Sequence, residues 1–221
     1  MIALNYLDRE SNSESTFNKL RKLFYRFPVT KQLPNDSEFT PLSRRQILVA
    51  MAVTAVILLV VAKLWLRLGS VEMLPVFWKL ENLFLGLALG VGISIGSAIV
   101  YRLWTGYRQS ADIYLELVLK PLTFLDLIWL GLLPGMSEEL LFRGVMLPAF
   151  GLNILGLSIS SICFGVLHLS GKQQWPYVIW ATIVGFALCF SALSTGNLLV
   201  PIIAHIVTNL ISGFLWKIDN R

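Results

Sequence analysis

Long apolar runs alternate with short polar breaks along most of this chain. From residue 46 onward, six runs rich in Leu, Ile, Val, Phe and Ala predict helices at about 46–66, 82–104, 122–149, 152–169, 177–194 and 198–216. A helix needs roughly 20 apolar residues to cross a bilayer. The pattern therefore predicts an all-α protein, a polytopic membrane helical bundle of about six transmembrane helices.

Two stretches are too polar for this pattern. Residues 1–45 hold eight of the eighteen Lys and Arg, and their prolines favour a linker next to the first apolar run. Residues 105–120 carry several charged side chains and are typical of an interfacial helix or loop. The chain is thus divided into a basic polar N-terminal arm and linker at 1–45, accessory transmembrane helices at 46–119, and a second helical bundle at 120–216.

Composition favours a membrane protein and argues against a nucleic-acid binder. Charged residues make up 14% of the chain, whereas a typical soluble domain has about 25%. The net charge of +5 comes with no nucleic-acid motif, so we expect the lipid bilayer to be the partner of the basic arm. Cys163 and Cys189 fall in apolar runs, which predicts buried, reduced thiols rather than a disulfide or a metal site.

The distribution of Lys and Arg predicts the orientation in the membrane. Six spans would place both termini on one side of the bilayer. That side would also hold most of the basic residues, namely the N-terminal arm, Arg102, Arg108, Lys120, Lys172, Lys217 and Arg221. Because cytoplasmic loops are enriched in Lys and Arg, we expect a multi-pass protein with a cytoplasmic N-terminus and C-terminus.

Small residues and a proline indicate where helices pack closely or bend. The second apolar run has glycines at small-xxx-small spacing, a pattern that lets helices approach closely; these are Gly86, Gly90, Gly92 and Gly96. In the third run, Pro134 and Gly135 predict a break or kink.

Three ionisable side chains follow this proline inside an apolar run. Glu138, Glu139 and Arg143 would together cost on the order of 8–10 kcal/mol at the bilayer centre unless they pair or face a wet cavity. Glu139 and Arg143 are four residues apart and can pair on one helix face. Glu138 is rotated about 100° away, which leaves it the less compensated carboxylate, in an apolar setting that favours its protonated form. This segment predicts an intramembrane polar site.

Both histidines of the chain also lie in apolar runs. His168 follows Phe164 by four residues, and Asn209 follows His205 by four residues. A histidine within a membrane commonly makes an interhelical hydrogen bond, and that interpretation stays open for each of them. Together with Glu138 they favour one shared site, where His205 and Asn209 can direct hydrogen-bond donors at a developing oxyanion. The chain has no His-Glu-x-x-His zinc helix and no Gly-x-Ser-x-Gly elbow.

The order and spacing of these residues resemble the CPBP family, the CAAX prenyl protease 2-like or ABI-type intramembrane proteases. The resemblance covers about residues 120–216 and rests on Glu-Glu-x-x-x-Arg from Glu138, Phe-x-x-x-His from Phe164 and His-x-x-x-Asn from His205. It implies a helical bundle with a polar cavity open to the cytoplasm and the membrane, and it makes 120–216 the catalytic bundle.

The resemblance also implies roles for the individual residues. Glu138 and His168 would activate a water for attack on a peptide carbonyl, and His205 and Asn209 would stabilise the oxyanion. Glu139, Arg143 and Phe164 would be structural or electrostatic. The cofactor is either none or zinc: a metal would be held by Glu138, His168 and His205, although no two histidines lie one helical turn apart.

The implied substrate is a membrane protein or a lipidated peptide, such as a prenylated or bacteriocin-like protein. Two other classes remain open. A catalytically silent membrane scaffold or assembly factor would keep the same fold without cleaving a peptide. A small proton-coupled transporter also uses intramembrane Glu, Arg and His, but the chain shows no inverted repeat. The sequence does not fix the oligomeric state.

Overall fold

The fold is known from a computed structural model that describes residues 42–220. Seven helical stretches account for nearly all of these residues, and no strand occurs among them. Most of the predicted N-terminal arm, and Arg221, lie outside the described residues. The prediction of an all-helical membrane bundle is confirmed for the described chain.

The helices follow the apolar runs closely. They are α1 (Arg44–Gly69), α2 (Leu80–Leu103), α3 (Thr105–Leu119), α4 (Asp126–Glu139), which continues through a π-helical turn (Leu140–Met146) into α5 (Leu147–Phe150), then α6 (Ile154–Leu167), a 3₁₀ turn (Lys172–Gln174), α7 (Trp175–Thr195) and α8 (Leu199–Asp219).

Four described helices are long and apolar enough to cross a membrane by length and composition, namely α1, α2, α7 and α8. The third predicted run is the composite α4–π–α5, and the fourth is α6, a shorter apolar helix of 14 residues. The polar stretch 105–120 forms the helix α3, which is not among the four candidate spans.

Helix α8 lies between α2 and α4, and glycines allow the close approach on both sides. A Cβ on Gly90 would lie 2.7 Å from the Ala204 carbonyl oxygen of α8, and one on Gly86 would lie 2.7 Å from Ile203 Cβ. This confirms the close packing predicted for these two glycines. Gly92 has no atom within 4 Å of such a Cβ, so its predicted packing role is wrong.

The third apolar run does not break at its proline. Helix α4 passes through Pro134 and Gly135 without interruption, and Gly135 packs against Ile206 of α8. The irregularity lies after the acidic pair instead, in the π-helical turn. The predicted position of a break is therefore wrong.

The loop between α1 and α2 forms hydrogen bonds with two other connections of the bundle. Leu74 N donates to the Gly144 carbonyl at 3.0 Å. The α-helical donor for that carbonyl would be residue 148, which is a proline without an N–H. The Asn197 side chain accepts from Phe77 N at 2.9 Å and donates to Phe77 O at 2.8 Å. The loop between α1 and α2 is thus held by hydrogen bonds to the α4–α5 and α7–α8 connections.

Candidate active site

One cavity of about 170 Å³ lies between α2, α3, α4, α6, α7 and α8. All four residues predicted to be catalytic line it, and these are Glu138, His168, His205 and Asn209. Phe164 lines it as well, whereas Glu139 and Arg143 are fully buried behind its wall. Residues distant in sequence are thereby brought together from α4, the end of α6 and α8.

His168 is oriented by the end of its own helix. It is the C-cap of α6, and its Nδ1 lies 2.9 Å from the Phe164 carbonyl oxygen, a group that has no helical partner at this terminus. A carbonyl only accepts, so Nδ1 carries the hydrogen and the neutral ring presents a lone pair on Nε2.

Glu138 faces that lone pair. The distance from His168 Nε2 to Glu138 Oε2 is 3.9 Å, too long for a direct hydrogen bond. Glu138 is 8% exposed, and its Oε2 is buried without a hydrogen-bond partner among the described residues. A water at this point could donate to both acceptors, which is the arrangement needed to remove a proton from an attacking water.

Glu139 and Arg143 form the predicted pair. Arg143 Nη1 lies 2.6 Å from Glu139 Oε1, and both side chains are fully buried. Arg143 Nη2 also donates to the Gly185 carbonyl of α7 at 3.1 Å, and its guanidinium lies 4.2 Å from the centre of the Phe164 ring. The pair therefore ties three helices together while it compensates two buried charges.

A contact between Glu139 and His205 was not predicted from the sequence. His205 Nδ1 lies 2.7 Å from Glu139 Oε1. Because a carboxylate accepts, Nδ1–H is the donor, which leaves Nε2 as the remaining ring nitrogen. The two residues are 66 positions apart, and no local spacing signals such a pair; the only hint is that both are polar residues in apolar runs.

Asn209 is positioned by the proline of α4. Pro134 has no N–H, so the Leu130 carbonyl four residues earlier lacks its helical donor. Asn209 Nδ2 donates to this carbonyl at 3.4 Å. The amide therefore reaches the cavity from α8, one turn after His205.

Phe164 is the apolar centre of the site. Its ring meets Phe142 edge-on at 5.6 Å between centroids, and it contacts the rings of His168 at 4.8 Å and His205 at 5.7 Å. The same ring faces Arg143. It thus fixes the two histidines relative to the buried ion pair.

Helix α3 contributes a wall that sequence reasoning missed. Six of its residues line the cavity: Tyr107, Ala111, Tyr114, Leu115, Val118 and Leu119. The Tyr114 and Tyr177 rings stack at 4.7 Å, and Tyr177 lies 6.1 Å from His168. The available signal was the helical spacing of these apolar and aromatic positions on the face opposite the charged ones.

The possible metal ligands Glu138, His168 and His205 line the same cavity, and the metal-binding alternative stays a prediction. Within residues 42–220, no three His, Cys, Asp or Glu side chains are grouped so that they could hold a metal ion. Glu138, His168 and His205 share a cavity but do not form such a set, and His205 directs one nitrogen at Glu139 instead.

The two cysteines are free, as expected, but differ in burial. Cys189 is fully buried, with its Sγ 3.5 Å from Ser160 Oγ. Cys163 is exposed on α6, so the prediction that both thiols are buried is wrong for this residue. A helical face that looks outward in a membrane protein can be as apolar as the core, and hydrophobicity does not separate the two.

Comparison with known proteins agrees with this geometry. The family model described as type II CAAX prenyl endopeptidase Rce1-like matches residues 120–211. Among Bacillus subtilis (strain 168) proteins, "Putative membrane peptidase YdiL" is 28% identical over 165 residues, which cover 72% of this chain and 64% of that protein. "Uncharacterized protein YpbD" is 35% identical over 85 residues, covering 38% of this chain and 42% of that protein.

A third relative, "Uncharacterized protein YyaK" of the same organism, is 35% identical over 82 residues, covering 34% of this chain and 27% of that protein. The chain thus spans less than two thirds of the length of these relatives, and no solved structure matches it. The matched residues 120–211 contain the acidic pair, both histidines and Asn209, and all of these except Glu139 line the cavity. The family match over these residues and the similarity to YdiL support the resemblance to the CPBP family of CAAX prenyl endopeptidase-like membrane proteins that the sequence predicts.

Proposed function

We propose that this chain is an intramembrane endopeptidase that hydrolyses a peptide bond of a membrane-associated protein with a water activated by Glu138 and His168. The observation that carries the proposal is the pairing of a buried carboxylate oxygen with the Nε2 lone pair of His168, 3.9 Å apart in one cavity. A water between them loses a proton as its oxygen bonds to the peptide carbonyl carbon.

The carbonyl oxygen becomes negatively charged in this step and needs hydrogen-bond donors. Asn209 offers its amide from α8. His205 offers Nε2–H when its ring is protonated, because its Nδ1–H is directed at the Glu139 carboxylate. Glu138 then returns the proton to the leaving amine, which breaks the carbon–nitrogen bond and releases two peptides.

The reaction as proposed requires no metal. Proton transfer to a positioned carboxylate contributes about 10²–10⁴-fold in rate, and each oxyanion donor about 10²–10³-fold. Arg143 connects the α4 segment to α7 through Gly185, and Glu139 accepts from Nδ1 of His205.

The substrate in this proposal is a membrane protein or a lipidated peptide, because the cavity lies among membrane-length helices. We assign to the cytoplasmic side the end of the bundle where Lys217 Nζ donates to the Lys120 carbonyl at 3.3 Å. Cytoplasmic segments are enriched in Lys and Arg, and both termini would lie on the same side. Reporter fusions to the C-terminus would measure this orientation.

The test is a comparison of protein termini in membranes of cells that express the wild type, Glu138→Gln or Glu81→Gln at matched levels. Glu81 lies exposed at the start of α2, outside the cavity, so it controls for the loss of a carboxylate. New termini with the wild type and Glu81→Gln but not with Glu138→Gln support proteolysis and identify the substrates. Identical termini in all three would refute it and favour a scaffold of the same fold.

A further inference from the structure

Helix α3 brings one more polar group to the site. Tyr114 lines the cavity with Glu138 and His168, although it lies outside the residues that match the family model. Its ring is held in place by the stack on Tyr177, at 4.7 Å and an interplanar angle of 25°. None of the described residues forms a hydrogen bond with its hydroxyl, so the group is available to a ligand in the cavity.

The donors already assigned to the oxyanion are incomplete. His205 directs Nδ1–H at Glu139, so its Nε2 carries a hydrogen only in the protonated ring. Asn209 directs one amide hydrogen at the Leu130 carbonyl. A donor that keeps its hydrogen in every protonation state of His205 would complete the set.

Tyr114 meets this requirement. Burial, and then the negative charge of Glu138, raise the pKa of Tyr114 to about 12. The phenol is therefore protonated at any physiological pH, and Tyr114 lines the same cavity as Glu138. A carbonyl attacked by a water on Glu138 would lie within the same small cavity.

We propose that Tyr114 is a further catalytic residue, whose hydroxyl donates a hydrogen bond to the peptide carbonyl as it becomes an oxyanion. The proposal rests on the proposed peptidase function. It makes α3 a part of the active site and supplies a donor from outside the residues 120–211 that match the family model.

The test uses purified full-length protein and a peptide that spans a bond whose cleavage depends on Glu138 in the termini comparison, flanked by a fluorophore and a quencher. Tyr114→Phe keeps the ring stack and removes only the hydroxyl. We expect kcat to fall on the order of 10²-fold with little change in KM, because the bond forms in the transition state.

Tyr101→Phe is the matched comparison, since it removes another phenol from the cavity wall whose hydroxyl already donates to Asp112 at 2.6 Å. It should lower kcat far less. Thermal unfolding of each variant separates loss of folding from loss of chemistry, and Tyr114→Leu shows how much the ring stack contributes to folding.

A Tyr114→Phe protein that is folded and cleaves at the wild-type rate, while Glu138→Gln is inactive, would overturn the role of Tyr114 alone. A Glu138→Gln protein that cleaves at the wild-type rate would overturn the peptidase mechanism and this inference with it.

Discussion

Removal of the Arg143 guanidinium should destabilise the protein more than most single substitutions. In Arg143→Ala, Glu139 keeps its contact with His205 but loses the 2.6 Å partner that compensates its charge in a fully buried position. The Gly185 carbonyl also loses a donor at 3.1 Å. Breaking a buried ion pair from one side costs about 3–5 kcal/mol, a large part of a total stability of roughly 5–15 kcal/mol.

The chain offers a thiol that reports unfolding. Cys189 is fully buried and Cys163 is exposed, so in a Cys163→Ala background a maleimide dye reacts with Cys189 only as the bundle opens. We expect Arg143→Ala to label at a clearly lower temperature than the parent and to accumulate to a lower level in membranes.

A matched double variant separates charge from packing. Glu139→Gln removes the charge but retains an oxygen that can accept from His205, so Glu139→Gln with Arg143→Met leaves no uncompensated charge. This double variant should be more stable than Arg143→Ala and closer to the parent than the sum of the two single changes. If Arg143→Ala alone unfolds at the parent temperature, the buried ion pair does not stabilise the folded protein and this prediction is refuted.

Four further outcomes follow from the packing. Gly90→Ala should lower the free energy of unfolding by about 1–3 kcal/mol through overpacking and reduce activity, because its Cβ would lie 2.7 Å from the α8 backbone. Gly92→Ala should be neutral, because its Cβ would have no atom within 4 Å; equal melting temperatures for the two variants would contradict this. Asn197→Ala should cost about 3 kcal/mol, at about 1 kcal/mol for each of three lost hydrogen bonds to backbone groups, measured by thermal unfolding against Asn197→Asp. Burial raises the pKa of Asp112 above its ordinary value, so its contribution to stability is present at acid pH and is lost as pH rises through the folded pKa. Asp112→Asn should therefore be more stable than the wild type at pH 7, and a lower melting temperature of the variant at that pH would refute the raised pKa. Cys163→Ala should keep full activity, and a large loss would reveal a role for the thiol.

Local geometry made part of the site predictable. Glu139 and Arg143 meet because residues four apart share a helix face, and this holds wherever the helix lies. The same rule placed His205 and Asn209 on one face of α8, and the apolar runs placed both within membrane-length helices. These predictions needed no knowledge of which helices are neighbours.

Tertiary contacts account for what the sequence did not predict. Pro134 suggested a break in α4, but the helix is continuous there, and Gly135 packs closely against Ile206 of α8. The carbonyl released by the proline became the acceptor for Asn209 instead. The proline rule correctly predicted that one carbonyl of α4 would lose its helical donor. It could not predict that a side chain of the neighbouring α8 would supply another donor.

The predicted boundary between the accessory helices and the catalytic bundle also ignores tertiary contacts. Sequence divides the chain near residue 120, where the family match begins. Yet α2 packs its glycines on α8 beside His205, Leu74 satisfies the Gly144 carbonyl, and α3 forms one wall of the cavity. Because these contacts position the walls of the cavity, the first helices are expected to be required for the site, and not only for anchoring it in the membrane.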